Sequence, residues 1–187
     1  MLEVEMKFPV QEFTTLESRL HQSGARRTAV LREADHYFNA PDRDFARTDE
    51  ALRLRRIGPA NFVTYKGPKR DALTKTRTEI EVPLAEGEMA AEDFARLLVQ
   101  LGYRPVAVVS KERQVYALEW KPFALEVCLD EVEGVGRYAE LEIVAPEERL
   151  EEARRVLMEL AAELGLTGSE RRSYLELLLT ARGRGSP

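Results

Sequence analysis

Residues 2–9 alternate strictly: Leu2, Val4, Met6 and Phe8 fall on one side, and Glu3, Glu5 and Lys7 on the other. A period of two predicts a β-strand with one apolar and one charged face. From residue 10 the period lengthens. Phe13, Leu16 and Leu20 are spaced as on one face of a helix over 10–23, which stops at Gly24. Further strands are predicted at 28–39, 51–57, 61–66, 74–84, 105–120, 123–131 and 137–144, punctuated by Gly58-Pro59, Gly67-Pro68 and Gly134. Two longer helices follow from apolar stripes. Phe94, Leu97, Leu98 and Leu101 define 88–101; Leu150, Ala153, Leu157, Leu160, Ala161 and Leu164 define 147–164. A short apolar helix, Tyr174 to Leu179, closes the chain.

Short turns between consecutive strands imply antiparallel hairpins, and about eight strands with helices set apart from them make an α+β domain. A sheet of that size curls or closes. Its polar positions are unusual. Arg53 and Arg55 alternate with Leu52 and Leu54, and Lys66 follows on the next strand. Lys75, Arg77, Glu79 and Glu81 share one parity, Lys111 goes with Arg113, Glu126 and Asp130 oppose Leu125, Val127 and Leu129, and Glu140 and Glu142 oppose Leu141 and Ile143. For any single strand a solvated outer face accounts for such charges. Close acidic pairs on one face (Glu3/Glu5, Glu79/Glu81, Glu140/Glu142) repel unless a cation lies between them. The second reading places the charged parity inside a hydrated barrel and the apolar parity against the helices. Such an interior needs a divalent cation held by carboxylate oxygens and a polyanion held by Lys and Arg.

Composition narrows the alternatives. The 33 Asp+Glu against 28 Lys+Arg leave a net charge of −5, which argues against a general nucleic-acid binder. A 44% hydrophobic content in 187 residues suits one domain with one sizeable core. The single cysteine, Cys128, allows no internal disulfide, no zinc-ligand spacing is present, and no stretch is a signal peptide or membrane span, so the cytoplasm is the expected compartment. His21 and His36 are read as structural or exposed, Cys128 as a small buried residue, and Tyr37 as a packing residue as readily as a substrate contact. Gly67-Pro68-Lys69 lacks the framework of a P-loop.

Glu3-x-Glu5-x-Lys7 resembles the ExExK signature of the CYTH superfamily, the triphosphate tunnel metalloenzymes that include class IV adenylyl cyclases and thiamine triphosphatases. The rest follows in the family's order. Asp35-His36-Tyr37-Phe38, Ala51-Leu52-Arg53-Leu54-Arg55, Tyr65-Lys66-Gly67 and Arg77-x-Glu79-x-Glu81 come first; Lys111-x-Arg113, Asp130, the segment from Gly134 to Glu142 and Ser173-Tyr174 complete it. The turn before the last acidic pair reads Gly134-Val135-Gly136 where many relatives have Gly-Leu-Gly.

The resemblance implies a closed eight-stranded antiparallel β-barrel, a tunnel, with flanking helices, in a single domain over 1–180 followed by a disordered tail at 181–187. It implies a metal site, for Mg²⁺ or Mn²⁺, made from Glu3, Glu5, Glu140 and Glu142 with Asp130 and Glu81 nearby. It also implies a triphosphate clamp of Lys7, Arg53, Arg55, Lys66, Arg77, Lys111 and Arg113, among which Lys7, Arg53, Arg55 and Lys66, together with Asp130, act in catalysis. The compact length and the stretches around Asp35, Thr64 and Val108 look most like the class IV cyclase group, which implies conversion of ATP to cyclic AMP and pyrophosphate. Hydrolysis of thiamine triphosphate, inorganic triphosphate or a nucleoside triphosphate is the alternative, and non-catalytic polyphosphate or nucleotide binding is the third. The expected partner is a triphosphate-bearing small molecule, with neither nucleic acid nor membrane; a homodimer is left open.

Overall fold

The alternation at the start of the chain becomes β1 (Leu2–Val10), which buries Val4 and Phe8 on its apolar side. A computed structural model describes residues 2–69 and 77–183. After β1 come α1 (Thr14–Gln22), β2 (Arg26–Asn39), α2 (Phe45–Thr48), β3 (Ala51–Ile57), β4 (Ala60–Lys66), β5 (Glu79–Leu84) and α3 (Glu88–Gln100). The second half contains β6 (Arg104–Trp120), β7 (Phe123–Val132), β8 (Gly136–Ala145), α4 (Leu150–Glu163) and α5 (Tyr174–Ala181).

All eight strands join one antiparallel sheet in the order β1-β8-β7-β6-β2-β3-β4-β5. The long strands β2 and β6 shift register between Arg27 and Ala29 and again between Tyr37 and Phe38, irregularities that bend a strand and help the sheet curl. Among the described residues the edges β1 and β5 share no ladder and meet at one antiparallel bridge, Glu3 to Arg77. Among those residues the expected closed barrel is thus a curled sheet whose ring is joined at a single point.

Helices cover the convex side unevenly. The stripes of α1 and α4 bury Leu16, Leu20, Leu157 and Leu160 against Val4, Leu125, Val127, Leu129, Leu141 and Ile143 of the sheet. A smaller cluster joins Ala91 and Leu98 of α3 to Phe38 and Leu54. The α5 helix does something else. It begins with a capping box between Ser173 and Glu176, then packs Tyr174, Leu177 and Leu178 against Tyr37, Val109, Val132 and Tyr138. Those four strand residues share parity with Asp35, Lys111, Asp130 and Glu140, so α5 lies on the concave side at one end. In the β7–β8 turn Gly134 has φ +70, and a Cβ there would sit 3.4 Å from Leu178 of α5; Val135 packs on the same cluster. Valine in this turn therefore has a packing role beside α5.

Several expectations need correction. The helix placed at 10–23 starts only at Thr14, because Pro9 and Val10 still pair with β8. The helix at 147–164 divides into a 3-10 turn at Glu147–Arg149 and α4. The strand at 74–84 begins its ladder at Glu79; residues 74–76, Lys75 included, lie outside the described residues. The short α2, capped by the Asp44 side chain on Ala46 N–H, shows no apolar period and was not expected. The final helix reaches Ala181, and residues 184–187 of the expected tail lie outside the described residues. The apolar parity does not always meet a helix: Ile80 and Val82 of β5 are 56% and 48% exposed.

This uneven cover has a measurable consequence. Leu157→Ala removes a fully buried side chain between α4 and the sheet and should cost about 2–5 kcal/mol in denaturant unfolding. Ile80→Thr on the uncovered part of β5 should change stability by no more than about 0.5 kcal/mol.

Candidate functional site

Strand parity directs the charged side chains to the concave face, where the curl brings residues from distant segments together. Lys7, Arg53, Lys66, Arg77, Lys111 and Arg113 are all buried there, and Arg55 is nearly so. Leaving that many cations without partners in a poorly solvated space would cost several kcal/mol each, on the order of the desolvation penalty of a buried ion. Arg53, Arg55, Lys66, Arg77, Lys111 and Arg113 each have a carboxylate, and the carboxylates are shared. Asp35 receives both Nε and Nη2 of Arg55, at 2.6 and 2.7 Å, and lies 3.5 Å from Nη1 of Arg53. Asp130 is held in the same forked way by Arg113, at 2.7 and 2.6 Å, with Lys111 Nζ 3.6 Å away. Glu79 lies 2.6 Å from Lys66 Nζ and 3.4 Å from Arg77 Nε. Glu33 joins two of these groups, 2.9 Å from Arg55 and 3.2 Å from Lys111.

The α5 end supplies an aromatic floor. The Tyr174 hydroxyl donates to Asp130 Oδ2 at 2.8 Å, and its ring lies under Lys7 Nζ, 4.1 Å from the centroid, and Lys111 Nζ, 5.2 Å from it. Lys7 also donates to the backbone carbonyl of Arg172. A cation over a ring face is attracted by the ring quadrupole while its N–H groups remain available for other acceptors.

The acids of the first and last strands are arranged differently. Glu5 faces Glu142 across the β1–β8 ladder, and Lys7 faces Glu140. Arg113 donates to Glu140 and lies 3.7 Å from Glu142. Burial pushes the Glu3 carboxyl up to about 7; nearby Lys66 opposes the shift, and Glu79, Glu5 and Glu140 add to it. Burial also holds Glu142 well above the usual carboxylate range despite Arg113, with Glu3, Glu140 and Glu5 contributing. Asp35 behaves in the opposite way: burial would raise it, but Arg53 and Arg55 hold it well below the ordinary range. Lys66 is lowered by burial and by Arg53, which the carboxylates of Glu79 and Glu3 only partly offset.

The residues singled out from the sequence are therefore brought onto one face, with distinctions the sequence did not show. Both oxygens of Asp130 are taken by Arg113, with Tyr174 and Lys111 beside them, so here it anchors the cations. Glu81 sits at the edge with its side chain 49% exposed, accepting from Thr64 and lying 3.8 Å from Arg53. Glu79 is the acid of that strand which influences Glu3. Among the described residues no three acidic, histidine or cysteine side chains converge as a ready-made metal cage. The donor set still suits a hard cation, since Glu3, Glu5, Glu140 and Glu142 offer only carboxylate oxygens and two of them have raised proton affinity.

Glu33, Asp35 and Glu79 were not assigned to the site beforehand. Glu33 and Asp35 alternate with Ala34 on β2 in the manner of the other charged faces, and that signal would have found them. Cys128 shares the concave parity but is buried, and burial raises its thiol far above the ordinary range. His36 faces the convex side, and His21 lies on α1 beside Tyr116. Neither histidine reaches the cluster.

Comparison with known proteins agrees with this architecture. The CYTH domain matches residues 1–174. A protein of Methanocaldococcus jannaschii named as a candidate adenylate cyclase is 38% identical over 184 residues, covering 95% of this chain and 98% of the relative. The adenylate cyclase CyaB of Aeromonas hydrophila is 35% identical over 150 residues, 78% of this chain and 71% of that protein. A solved structure from Pyrococcus horikoshii superposes with a TM-score of 0.84 at 38% identity, covering 95% and 98% of the two chains. Over nearly all its length, the chain belongs to the CYTH domain family.

Proposed function

We propose that the concave face binds the triphosphate of ATP together with Mg²⁺ or Mn²⁺, and that the protein converts ATP to cyclic AMP and pyrophosphate. The observation that carries this reading is the sharing of three carboxylates, Asp35, Asp130 and Glu79, by six cations that are buried or nearly so. Cations that share an acid retain donors for a further anion, and a triphosphate presents oxygens along a line of about three phosphorus centres. The names of the Methanocaldococcus and Aeromonas relatives support the cyclase direction.

In the proposed reaction the ribose 3′-hydroxyl oxygen bonds to the α-phosphorus. The bond from that phosphorus to the oxygen shared with the β-phosphate breaks, pyrophosphate leaves with that oxygen, and the hydroxyl proton passes to solvent. Lys7, Arg53, Arg55, Lys66, Arg77, Lys111 and Arg113 hold the chain of phosphates and neutralise the charge that collects on the departing pyrophosphate. Asp130 keeps Arg113 and Lys111 aimed at it. Glu3, Glu5, Glu140 and Glu142 hold the divalent cation, with Glu81 at the rim. The bound metal supplies charge neutralisation and orientation of the phosphate oxygens.

Phosphorus NMR of the protein incubated with ATP and Mn²⁺ should show pyrophosphate and cyclic AMP; orthophosphate in their place would make the protein a hydrolase. Arg53→Ala should weaken ATP binding by about 10–100-fold, the worth of a charge-assisted hydrogen bond, and AMP binding much less. Calorimetry showing equal losses for the two nucleotides would remove Arg53 from the clamp.

The acids make a separate prediction. Glu142→Gln should reduce turnover by at least about 100-fold while leaving the metal-free melting temperature unchanged or higher, because burial already disfavours the charge at this position and the amide has none to desolvate or to set against Glu3, Glu140 and Glu5. Glu3 holds its proton more tightly folded than unfolded. Its contribution to stability is present below the ordinary value of 4.5 and is lost as pH rises through about 7. The metal-free protein should therefore melt at lower temperature across that interval, and Glu3→Gln should flatten the dependence.

A further inference from the structure

The charged band of the concave face has different neighbours at its two ends. Along β2, β3 and β6 the inward positions run in one order. Tyr37, Ala51 and Val109 pack beside α5. Two charged residues follow on each strand: Asp35 and Glu33 on β2, Arg53 and Arg55 on β3, Lys111 and Arg113 on β6. The next inward residues are Leu31, Ile57 and Val115, and β4 adds Phe62 beyond Lys66 and Thr64.

The ladders set this apolar arc directly against the charges. Phe62 pairs with Arg55, Leu31 with Arg113, and Ile57 with Glu33, the acid that lies between Arg55 and Lys111. Directly paired residues have Cβ atoms about 5 Å apart, so a group attached to a phosphate held by either arginine reaches the arc. Leu31, Ile57 and Phe62 are half-buried and Val115 is buried. Among the described residues none of the four joins the apolar clusters under α1 and α4, under α3 or beside α5. They face inward, where no helix lies over them. On β7 the arc gives way to the exposed acid Glu126, which pairs with Glu142 of the acidic edge.

On the reading that the concave face holds a triphosphate, we infer that this arc seats the base of a nucleoside triphosphate at the end opposite α5. The arc then fixes both the class of substrate and the direction in which the phosphates lie. An inorganic triphosphate is charged along its whole length and leaves the four apolar side chains bare beside it. A nucleotide covers them with a flat ring that stacks on Phe62, while the aliphatic side chains pack against the rest of its surface. The α- and β-phosphates lie beside Arg55 and Arg113, and the terminal phosphate points toward Lys7, Lys111 and the ring of Tyr174. In this direction the phosphorus attacked by the ribose hydroxyl is the one nearest the arc, and the departing pyrophosphate lies over the lysines. The four side chains carry no hydrogen-bonding atoms, so the arc selects a flat ring and does not by itself distinguish adenine from guanine.

Titration calorimetry of the full chain in Mn²⁺, comparing a non-cleavable ATP analogue with inorganic triphosphate, tests it. Phe62→Ala should weaken the analogue by at least about tenfold, the scale of one lost base-stacking contact, and inorganic triphosphate by less than about twofold. Phe62→Tyr keeps the ring and should bind the analogue as the wild type does. Leu31→Ser should lower affinity for the analogue alone, and it carries the test should circular dichroism show Phe62→Ala unfolded. Equal losses for the two ligands in folded variants, or no loss for either, would overturn the inference and leave the triphosphate site standing. A wild type that binds neither ligand would remove the triphosphate site and the inference with it.

Discussion

The structure depends on the balance of buried charge on the concave face. Eight carboxylates (Glu3, Glu5, Glu33, Asp35, Glu79, Asp130, Glu140 and Glu142) meet seven cations there among the described residues, with the more exposed Glu81 and Glu126 at the margins of the same face. An excess of buried negative charge is costly, and the molecule limits it by holding Glu3 and Glu142 toward their protonated forms. A triphosphate entering this space brings about four more negative charges near neutrality, which the shared cations alone do not balance. A divalent ion in place of the two acidic protons would keep those acids neutralised beside the phosphate oxygens without cancelling the added charge. The raised acids and the shared cations are two sides of one electrostatic arrangement.

The fold exists to hold that arrangement at fixed spacing. Curling by register shifts in β2 and β6 brings Arg55 and Asp35 into line with Lys111 and Asp130, and α5 closes one end with Tyr174 under two lysines. The α1–α4 layer keeps the β1–β8 edge rigid by packing against most of its apolar side, so the acidic residues of that edge have little freedom to retreat from each other. Where helices are absent, on β5 and on the middle of β2 and β6, the outer surface carries exposed aliphatic residues.

Much of this was legible in the sequence, because parity is a strong signal when one face is charged. Leu2 to Phe8 and Leu52 to Arg55 announced both the strands and the sides on which they bury. The convergence of the candidate site residues was legible for the same reason, since Glu5, Arg53, Arg113 and Glu142 each lie on the charged parity of their strands. What could not be read was pairing. Local alternation shows that Asp130 and Glu81 face inward, yet only the curl shows that Asp130 is gripped by Arg113 while Glu81 stands at the rim. Tyr174 looks like the start of an ordinary apolar helix, and its place against the concave face depends on contacts with Tyr37, Val109 and Tyr138 far away in sequence. The α2 helix rests on one side-chain cap and four residues, too few for a period to appear.

The central claim is that the shared cations exchange part of their carboxylate partnership for phosphate oxygens. A crystal structure with a non-cleavable ATP analogue and Mn²⁺ tests it most directly. The account requires the phosphate chain on the concave face, with Arg113 turned from Glu140 toward a phosphate oxygen and still held by Asp130. An analogue bound elsewhere, with the Arg113, Glu140 and Asp130 contacts unchanged and the concave face without phosphate, would contradict it.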